Sequence, residues 1–389
     1  MKHILVLCIL FVVLVSGCTE QAESESEPTL SLRYTVETLG DEEAEETTET
    51  IPNAELTSND WEFGTPESQG VDSIMLDALH AALAEPEAAI IWSIVIVRNG
   101  VIIDEFYGID RRGLFEIDEA TPFALMSVTK SFTGALIGIA IDLGYISGVD
   151  VKLSEFFPTL AAAEDGWENI TLEHLLTHTS GIEWDEWGSS RMFHEMRRAE
   201  NWVDFVLEQP MAAAPGSTFN YNSGGSHLLA AVLEQATGQS AFDFAREHLF
   251  EPLGMDSVNW PADPQGITRG DGDIEMTARD AARFGQLFLS GGRWQDRQVI
   301  SREWVEQSTT VQSAGPGGRT GQHGYQWWVR SFGDGNHDTF FALGAGGQHI
   351  FVVPELELVV VTTCFNTGDS YVPWPFFTDY ILPAVSTLP

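Results

Sequence analysis

Strand-like segments lie near both ends of this 389-residue chain, and no other feature restricts its fold as much. Residues 91–108, "IWSIVIVRNGVIIDEFYG", are two β-branched runs around Asn99-Gly100, a dipeptide typical of tight hairpins. Three further strand-like runs follow near the other end, "FFALGAG", "QHIFVVP" and "LELVVVTTCF". We therefore predict an α+β fold in which both chain ends build one antiparallel sheet of about five strands, flanked by helices.

Helical spacing of apolar residues dominates the segment between these two groups of strands. It occurs in "TLEHLLTH", "NWVDFVLEQ", "SHLLAAVLEQATG", "SAFDFAREHLF" and "TARDAARFGQLFLSG". We predict that a helical region, roughly residues 127–315, is inserted between the early and late strands. The run that follows Ser127 is too long and too rich in Ala, Ile and Leu for a strand, so Ser127 should lie at or near a helix N-terminus.

Lys130 is one of only three lysines in the chain, and it opens an otherwise apolar helical run. Residues three apart share one face of a helix, so the side chains of Ser127 and Lys130 can meet. A serine hydroxyl is a weak nucleophile until a nearby base takes its proton. A buried lysine whose pKa is lowered from about 10.4 can be that base, whereas arginine cannot. The spacing predicts a nucleophile and its base, although a surface lysine near a capping serine would show it too.

Two further segments suit acyl-transfer chemistry. Tyr221 lies in the loop "PGSTFNYNSGG", directly before a helix, where its hydroxyl could relay a proton. The segment "ALGAGGQHIFVV" starts a strand with glycines that permit close backbone approach, and an N–H near Gln348 could complete an oxyanion hole. Taken alone, each segment also fits an ordinary turn tyrosine or a glycine-rich β-bulge.

The motifs occur together, in one order, over about residues 90–364. They are "SVTK", "ITLEHLLTHTSGI", "PGSTFNYNSGGSHLL", "EPLGM", "MTARDAARFGQLFLSGGRW" and "GYQWWV". This set resembles the β-lactamase-related serine hydrolases, a family of class C β-lactamases, DD-peptidases, esterases and 6-aminohexanoate-dimer hydrolase. The resemblance implies a β-lactamase/transpeptidase-like fold with the site between the sheet and the helices. It also implies Ser127 as the acylated nucleophile, Lys130 as base and Tyr221 as proton shuttle, with the N–H groups of Ser127 and Gln348 as oxyanion donors.

Two positions depart from the pattern of that family. Its tyrosine loop often has Asn two residues after the Tyr, where this chain has Ser223, which can still donate a hydrogen bond. Its third motif often begins with Lys or His, whereas the aligned residues Ala345, Gly346 and Gly347 offer neither charge nor hydroxyl. We therefore expect the nucleophile and its partners to be present and a group that binds substrate carboxylates to be missing.

These observations predict a serine hydrolase that acts through an acyl-enzyme on Ser127 and requires no cofactor. The favoured activity is that of a carboxylesterase or amidase on small-molecule esters or amides that are uncharged and of small to medium size. One alternative is a β-lactamase or DD-peptidase that acts on cell-wall-type substrates. Another is a non-catalytic exported binding or sensor protein on the same scaffold. An α/β-hydrolase is not predicted, because the chain lacks a Gly-x-Ser-x-Gly motif.

The charge balance argues against nucleic acid as a partner. The chain has 58 acidic and 19 basic residues, and residues 1–60 hold 13 and 2 of them. Residues 61–389 therefore keep 45 and 17, a net charge of −28, which repels nucleic acids and anionic membranes. This acidity fits a salt-adapted protein and an ordinary acidic protein equally well.

The N-terminus carries the features of an export signal. Two basic residues precede the apolar run Ile4–Val15, which ends in "LVSGC" and resembles the lipobox of prokaryotic lipoproteins. The resemblance implies a signal peptide over residues 1–18, cleaved before Cys18, and a lipid on that thiol; an ordinary secretory signal is the alternative. We expect an exported protein anchored by lipid to a prokaryotic membrane. Residues 19–60 are acidic and poor in apolar residues, which predicts a disordered tether before a hydrolase domain at 61–389.

Three other groups have simpler interpretations than function. His174 and His178 have the i, i+4 spacing of a zinc site, but Leu175 stands where zinc proteases carry Glu, so we predict no metal. The pair Asp185 and Glu186 is interpreted as a solvated loop. An aromatic pocket formed by Trp184, Trp187, Trp327 and Trp328 is as plausible as core packing for these side chains.

Overall fold

A computed structural model describes residues 61–88, 90–109, 116–163, 165–186, 191–334, 336–365 and 368–386. The predicted signal peptide, Cys18 and the acidic tether lie outside these residues. All of these residues belong to one compact unit. Within the described part of the chain, no helix has both the length and the apolar character needed to span a bilayer.

The strands are β1 Glu62–Phe63, β2 Ile91–Arg98, β3 Val101–Tyr107, β4 Phe123–Ala124, β5 Glu275–Met276, β6 Arg293–Trp294, β7 Arg297–Gln298, β8 Ser313–Gly317, β9 Gly321–His323, β10 Trp328–Phe332, β11 His337–Gly344, β12 Gln348–Val353 and β13 Leu358–Cys364. The helices are α1 Ser73–Leu83, α2 Thr129–Asp142, α3 Leu172–Leu176, α4 Arg191–Met196, α5 Trp202–Leu207, α6 Ser223–Thr237, α7 Ala241–Ala245, α8 Glu251–Leu253, α9 Ala278–Leu289, α10 Arg302–Thr309, α11 Trp374–Phe376 and α12 Leu382–Ser386.

The main sheet of the described chain has nine strands in the order β1-β3-β2-β13-β12-β11-β10-β9-β8. The five expected strands, β2, β3, β11, β12 and β13, are its centre, and the early hairpin pairs with the last strand as predicted. The expectation of about five antiparallel strands is corrected, because β1 joins in parallel to β3 and three more strands extend the other edge. The extra edge strands β8 and β9 are short and rich in glycine, so they carry no alternating apolar pattern that a sequence could reveal.

The turn between β2 and β3 follows directly from its sequence. Asn99 and Gly100 both have positive φ, 51° and 78°, and Arg98 pairs with Val101 across the turn. Positive φ at both central residues is the signature of a type I′ turn, which Asn-Gly favours because it matches the twist of the strands. The predicted hairpin is therefore confirmed.

The centre of the sheet is covered on both faces. Along β13, Val359 and Val361 belong to one hydrophobic core, while Leu358 and Val360 belong to a second. Side chains alternate between the faces of a strand, so an apolar run without alternation needs cover on both. Helix α9 packs closely on the first face, where a Cβ on Gly285 would lie 2.6 Å from Val359.

Helices α2 to α10 form the region inserted between the early and late strands, as expected. Two short ribbons, β4 with β5 and β6 with β7, interrupt it. At its centre lies α2, whose residues Thr129–Ala140 are all buried. A helix that is apolar around its whole circumference is stable only where other elements surround it. This burial holds the first turn of α2, and the residues that precede it, in a defined position.

Candidate active site

Ser127 lies in the 3₁₀ turn Met126–Val128, directly before α2, as the sequence predicted. The preceding residue, Met126, has a left-handed φ of 50°, which is uncommon for a residue other than glycine. Its backbone carbonyl accepts a 2.5 Å hydrogen bond from the Thr129 hydroxyl, which ties the turn to the helix. Such strain persists only where the surrounding structure enforces it, and it is concentrated at functional sites.

Lys130 is buried, with 3% of its surface exposed, and its ammonium group points toward Ser127. The Nζ atom donates to Ser127 Oγ at 3.1 Å and to the backbone carbonyl of Asp271 at 2.5 Å. Nζ also lies 5.1 Å from the centre of the Tyr221 ring. The predicted pairing of Ser127 with Lys130 on one helical face is therefore present.

Tyr221 reaches the same point from the loop before α6. Its hydroxyl forms side-chain hydrogen bonds with both Ser127 and Lys130, and 5% of the residue is exposed. Burial raises the pKa of Tyr221, Lys130 lowers it and Glu186 raises it, and the result is a pKa above the usual range. The tyrosine is therefore a neutral hydroxyl at ordinary pH, able to accept one hydrogen bond and donate another.

The pKa of Lys130 differs from the sequence-based expectation. Burial alone lowers the pKa of Lys130, but Tyr221, Glu186 and Asp271 together outweigh burial and raise it. The expected lowered pKa is thus wrong for the resting site. An ammonium group has three protons to donate, and Ser127, Tyr221 and the Asp271 carbonyl provide three partners.

A pocket of about 320 Å³ opens above Ser127. Its volume is at the lower end of the range of small-molecule sites. The lining residues are Met126, Ser127, Glu186, Phe193, His194, Arg197, Tyr221, Asp271, Gly272, Asp273, Leu343, Ala345 and Ser370.

The tip of the β11–β12 hairpin faces this pocket through one residue of the expected motif, Ala345. Gln348 does not line the pocket: it is buried in β12, and its side-chain amide exchanges two hydrogen bonds with the backbone of Cys364. The N–H of Gly346 donates to Ser370 Oγ at 3.2 Å, and Gly347 packs against Cys364. The structure therefore brings the turn to the site and turns the Gln348 side chain toward Cys364, while the role of the Gln348 backbone N–H as an oxyanion donor stays a prediction.

Comparison with known proteins relates this geometry to a family. The family model described as Beta-lactamase matches residues 79–371, a range that holds Ser127, Lys130 and Tyr221. The chain belongs to the Beta-lactamase family. Its fold is likewise similar to the octameric penicillin-binding protein homologue from Pyrococcus abyssi, with a TM-score of 0.65 and 21% identity over 79% of this chain and 77% of that one.

Two curated proteins that are similar to this chain have the names of hydrolases. The chain is 25% identical to 6-aminohexanoate-dimer hydrolase of Paenarthrobacter ureafaciens, over 80% of this chain and 82% of that protein. It is 33% identical to esterase EstB of Burkholderia gladioli, over 41% of this chain and 44% of that protein.

Ser223, the first departure from the Beta-lactamase family pattern, is buried and does not line the pocket. Its hydroxyl donates to Glu186 Oε1 at 2.5 Å, and its backbone N–H donates to Glu186 Oε2 at 3.0 Å. Ser223 therefore does donate a hydrogen bond, but it acts on the carboxylate of Glu186 and not on the pocket itself.

Glu186 is a site residue that sequence reasoning missed. The interpretation of Asp185 and Glu186 as a solvated loop is wrong for Glu186, which lines the pocket and also accepts from Trp184 Nε1 at 2.6 Å. Its charge raises the pKa of both Lys130 and Tyr221. No local signal marks it, because acidic residues occur throughout this member of the Beta-lactamase family.

A second group that the sequence analysis missed is a set of linked ion pairs at the pocket. Arg197 and Arg269 both donate to Asp273 Oδ2, at 2.5 and 2.6 Å, and Arg269 also approaches Asp271 at 3.4 Å. Asp273 has a positive φ of 67°, which turns the loop so that the Asp271 carbonyl meets Lys130. The only sequence signal is the glycine-spaced "RGDGD", which is too common to interpret alone.

Of the two interpretations of the tryptophans, core packing fits the three that the structure describes. Trp184, Trp327 and Trp328 are buried: Trp327 stacks on Phe284 in the core and Trp328 packs against Tyr221. Trp187 lies outside the described residues. Phe193 and Tyr221 line the pocket, and none of the three described tryptophans does.

The histidines of "HLLTH" are separately engaged. His174 Nδ1 accepts from the N–H of Thr171 at 3.1 Å, and His178 Nδ1 accepts from the N–H of Asn222 at 3.2 Å. Among the described residues, no group of three His, Cys, Asp or Glu side chains is arranged to hold a metal ion. The two histidines instead secure a helix start and the tyrosine loop.

Proposed function

We propose that this Beta-lactamase-family hydrolase is a carboxylesterase or amidase that cleaves uncharged substrates of small to medium size through an acyl-enzyme on Ser127. The observation that carries the proposal is the contact of 3.1 Å between Lys130 Nζ and Ser127 Oγ. The Tyr221 hydroxyl forms hydrogen bonds with both residues, and Ser127 and Tyr221 line the pocket of about 320 Å³. The names of the two hydrolase relatives, an amidase and an esterase, are consistent with it.

The reaction follows from the contacts of Ser127. Once Lys130 has lost a proton, Ser127 Oγ attacks the substrate carbonyl carbon and its own proton passes to the amine. The N–H groups of Ser127 and Gln348 are the donors that we propose for the oxyanion. Tyr221 then donates a proton to the leaving group and takes one from Lys130, and the leaving group departs to give the acyl-enzyme. Water attacks the acyl carbon and gives a proton to the Lys130 amine through Tyr221. The amine then returns a proton to Ser127 Oγ as the acid is released.

The lining of the pocket supports an uncharged substrate. Ala345 offers no charge or hydroxyl, and Met126, Phe193 and Leu343 give the wall apolar surface. The nearest charged side chains already bind each other or their neighbours: Arg197 binds Asp273, and Glu186 accepts from Ser223. A substrate charge would have to compete with these contacts. Loss of one charge-assisted bond to a carboxylate costs about 2 kcal/mol, or about thirtyfold in affinity.

One observation favours the alternative of a β-lactam or peptide substrate. Arg197 lines the pocket, and its Nε has no acceptor among the described residues. A substrate carboxylate could bind this guanidinium if it displaced Asp273. A comparison of kcat/KM for a p-nitrophenyl acyl ester and a chromogenic cephalosporin, on one preparation of the full chain, separates the two. Preference for the cephalosporin would overturn the proposal of an uncharged substrate.

Covalent catalysis is tested directly by labelling. Incubation with a fluorophosphonate should add one adduct to the intact mass, on Ser127. The Ser127→Ala variant should take no adduct and lose turnover while it keeps the unfolding temperature of the wild type within a few degrees, because the change removes only a partly exposed hydroxyl. An unlabelled wild type would favour the alternative of a non-catalytic binding protein.

A further inference from the structure

His178 is a buried side chain beside the active site that the proposed reaction does not use. It lies two residues after the end of α3, and its backbone φ of 56° is in the left-handed region. Its ring centre lies 4.5 Å from that of Tyr221. A histidine in this conformation is strained relative to glycine or asparagine, so the surrounding structure must hold it there.

His178 binds the chain on both sides of Tyr221. Its backbone carbonyl accepts from the N–H of Asn220 at 2.7 Å, and its Nδ1 accepts from the N–H of Asn222 at 3.2 Å. Tyr221 is the residue between these two bonds. The ring contact adds a third restraint, on the tyrosine side chain itself. One histidine thus restrains the backbone before and after the tyrosine as well as its ring.

The imidazole can do this only in its neutral form. Since Nδ1 accepts a hydrogen bond, the proton of the ring is on Nε2, which is buried and has no acceptor among the described residues. Burial, His323 and Lys130 hold the pKa of His178 well below its usual 6.5. A neutral ring keeps the acceptor available and adds no second positive charge beside Lys130.

We propose that His178 is a positioning residue that holds the Tyr221 hydroxyl between Ser127 and Lys130. The proposal rests on the proposed function, because it gives a role to Tyr221 in acyl transfer. The unpartnered Nε2–H supports it: a buried donor without an acceptor is unfavourable, and it is tolerated here because the acceptor on the other nitrogen is needed. The competing explanation is that His178 only fills space in the core.

Two variants separate the acceptor from the bulk of the ring. His178→Asn keeps an oxygen acceptor near the place of Nδ1 and suits a positive φ, but it loses the ring. His178→Leu keeps apolar volume but has no acceptor. Leu79→Ala, in α1, serves as a control that loses core packing elsewhere in the chain.

Acylation by a fluorophosphonate, followed by intact mass, provides the first readout on the full chain. We expect His178→Leu to slow acylation about tenfold or more, and His178→Asn to stay within about threefold of the wild type, although it unfolds at a lower temperature. Leu79→Ala should be destabilised yet acylate normally. Equal rates for Leu and wild type, or equal losses in Asn and Leu, would overturn the positioning role.

Hydrogen exchange gives a second readout that needs no activity. Amide exchange in peptides that contain Asn220 and Asn222 should speed up in His178→Leu and remain close to wild type in His178→Asn. Unchanged exchange in the leucine variant would refute the restraint on the loop. If the wild type takes no fluorophosphonate while the exchange result holds, the proposed function fails and the structural restraint by His178 stands.

Discussion

The charge state of Lys130 is set by Tyr221, Glu186 and Asp271, which come from three distant parts of the chain. Lys130 Nζ contacts Ser127, which is three residues away in the sequence, and the carbonyl of Asp271, which is 141 residues away in the sequence. Glu186 adds a negative charge from the loop that precedes α4. The resting lysine is an ammonium that orients Ser127 and Tyr221, and it must lose a proton before it can act as a base.

Lys130→Arg tests whether that proton is needed. Arginine keeps the positive charge but cannot release a proton in this pH range. We expect kcat/KM for an acyl ester to fall roughly 10²-fold or more. Rates close to wild type would mean that Lys130 contributes only charge or packing. Because Lys130 is buried, the larger arginine can also lower the unfolding temperature, and the rate is then corrected for the folded fraction.

Glu186→Gln tests the electrostatic control of Lys130 by pH. The fraction of unprotonated amine increases with pH. Because the pKa of Lys130 is raised, this increase falls in the alkaline range, and kcat/KM in the wild type should rise from neutral toward alkaline pH. Removal of the negative charge of Glu186 lowers the pKa of Lys130, and the rising limb should shift to lower pH. Glutamine keeps an oxygen acceptor for Ser223 and Trp184.

The control for this pH shift is the Glu173→Gln variant. In the wild type, the Glu173 carboxylate accepts a hydrogen bond from the Tyr325 hydroxyl, away from the pocket. The pH profile of this variant should match the wild type. A Glu186→Gln profile that does not move, or moves to higher pH, would contradict the role assigned to Glu186.

At the scale of elements, the site depends on how closely α2 is packed. Trp304 of α10 lies against α2 at Gly138, where an added Cβ would come within 2.4 Å of the indole ring. Gly134 is similarly close to Gln326, at 3.1 Å. The small residue at 138 lets α10 approach α2 closely. This packing restrains α2 and the turn before it that carries Ser127.

Gly138→Ala should therefore shift α2 or Trp304 and destabilise the protein. Overpacking of a filled core costs about 1–3 kcal/mol, which corresponds to a drop of a few degrees in the unfolding temperature for a chain of this size. Gly148→Ala is the matched change, since its Cβ would meet only the flexible side chain of Asp150. A thermal melt of both variants checks this, and a Gly138→Ala melt equal to wild type would show that α10 adapts without cost.

At the scale of the whole molecule, the chain is strongly acidic. The net charge of −28 on residues 61–389 disfavours approach of anionic substrates, although salt at 0.1 M screens such effects beyond about 10 Å. Low-salt assays should therefore exaggerate any preference for neutral substrates. This is consistent with the uncharged substrates proposed from the pocket.

Lipid anchoring through Cys18 remains a prediction from "LVSGC". Expressed with its N-terminus in a bacterial host, the chain should lose residues 1–17, gain lipid mass on Cys18 and partition with membranes. Cys18→Ser should release the protein or leave the signal uncleaved. A lipid-free wild type that begins at another residue would rule out this anchor in favour of an ordinary secretory signal.

The sequence alone determined those features that depend on neighbours in the chain. The Asn99-Gly100 turn follows from backbone preference, and the approach of Ser127 to Lys130 follows from the spacing of a helix. The five central strands carry their own apolar patterns, and the order of the motifs indicated the family. Each turn, strand pattern and motif is contained within a few consecutive residues, and the order of the motifs is read along the chain without knowledge of contacts.

Only the tertiary structure decided how distant residues meet. Glu186 reaches Ser223 across 37 residues, and Asp271 reaches Lys130 across 141, so nothing in the local pattern distinguishes these acids from the many on the surface. The same holds for the paired edge strand β1 and for the Gln348 side chain, which bonds to the backbone of Cys364. The charge on Lys130 is the clearest case: burial alone predicts a lowered pKa, and only the groups that the fold assembles around it reverse the direction.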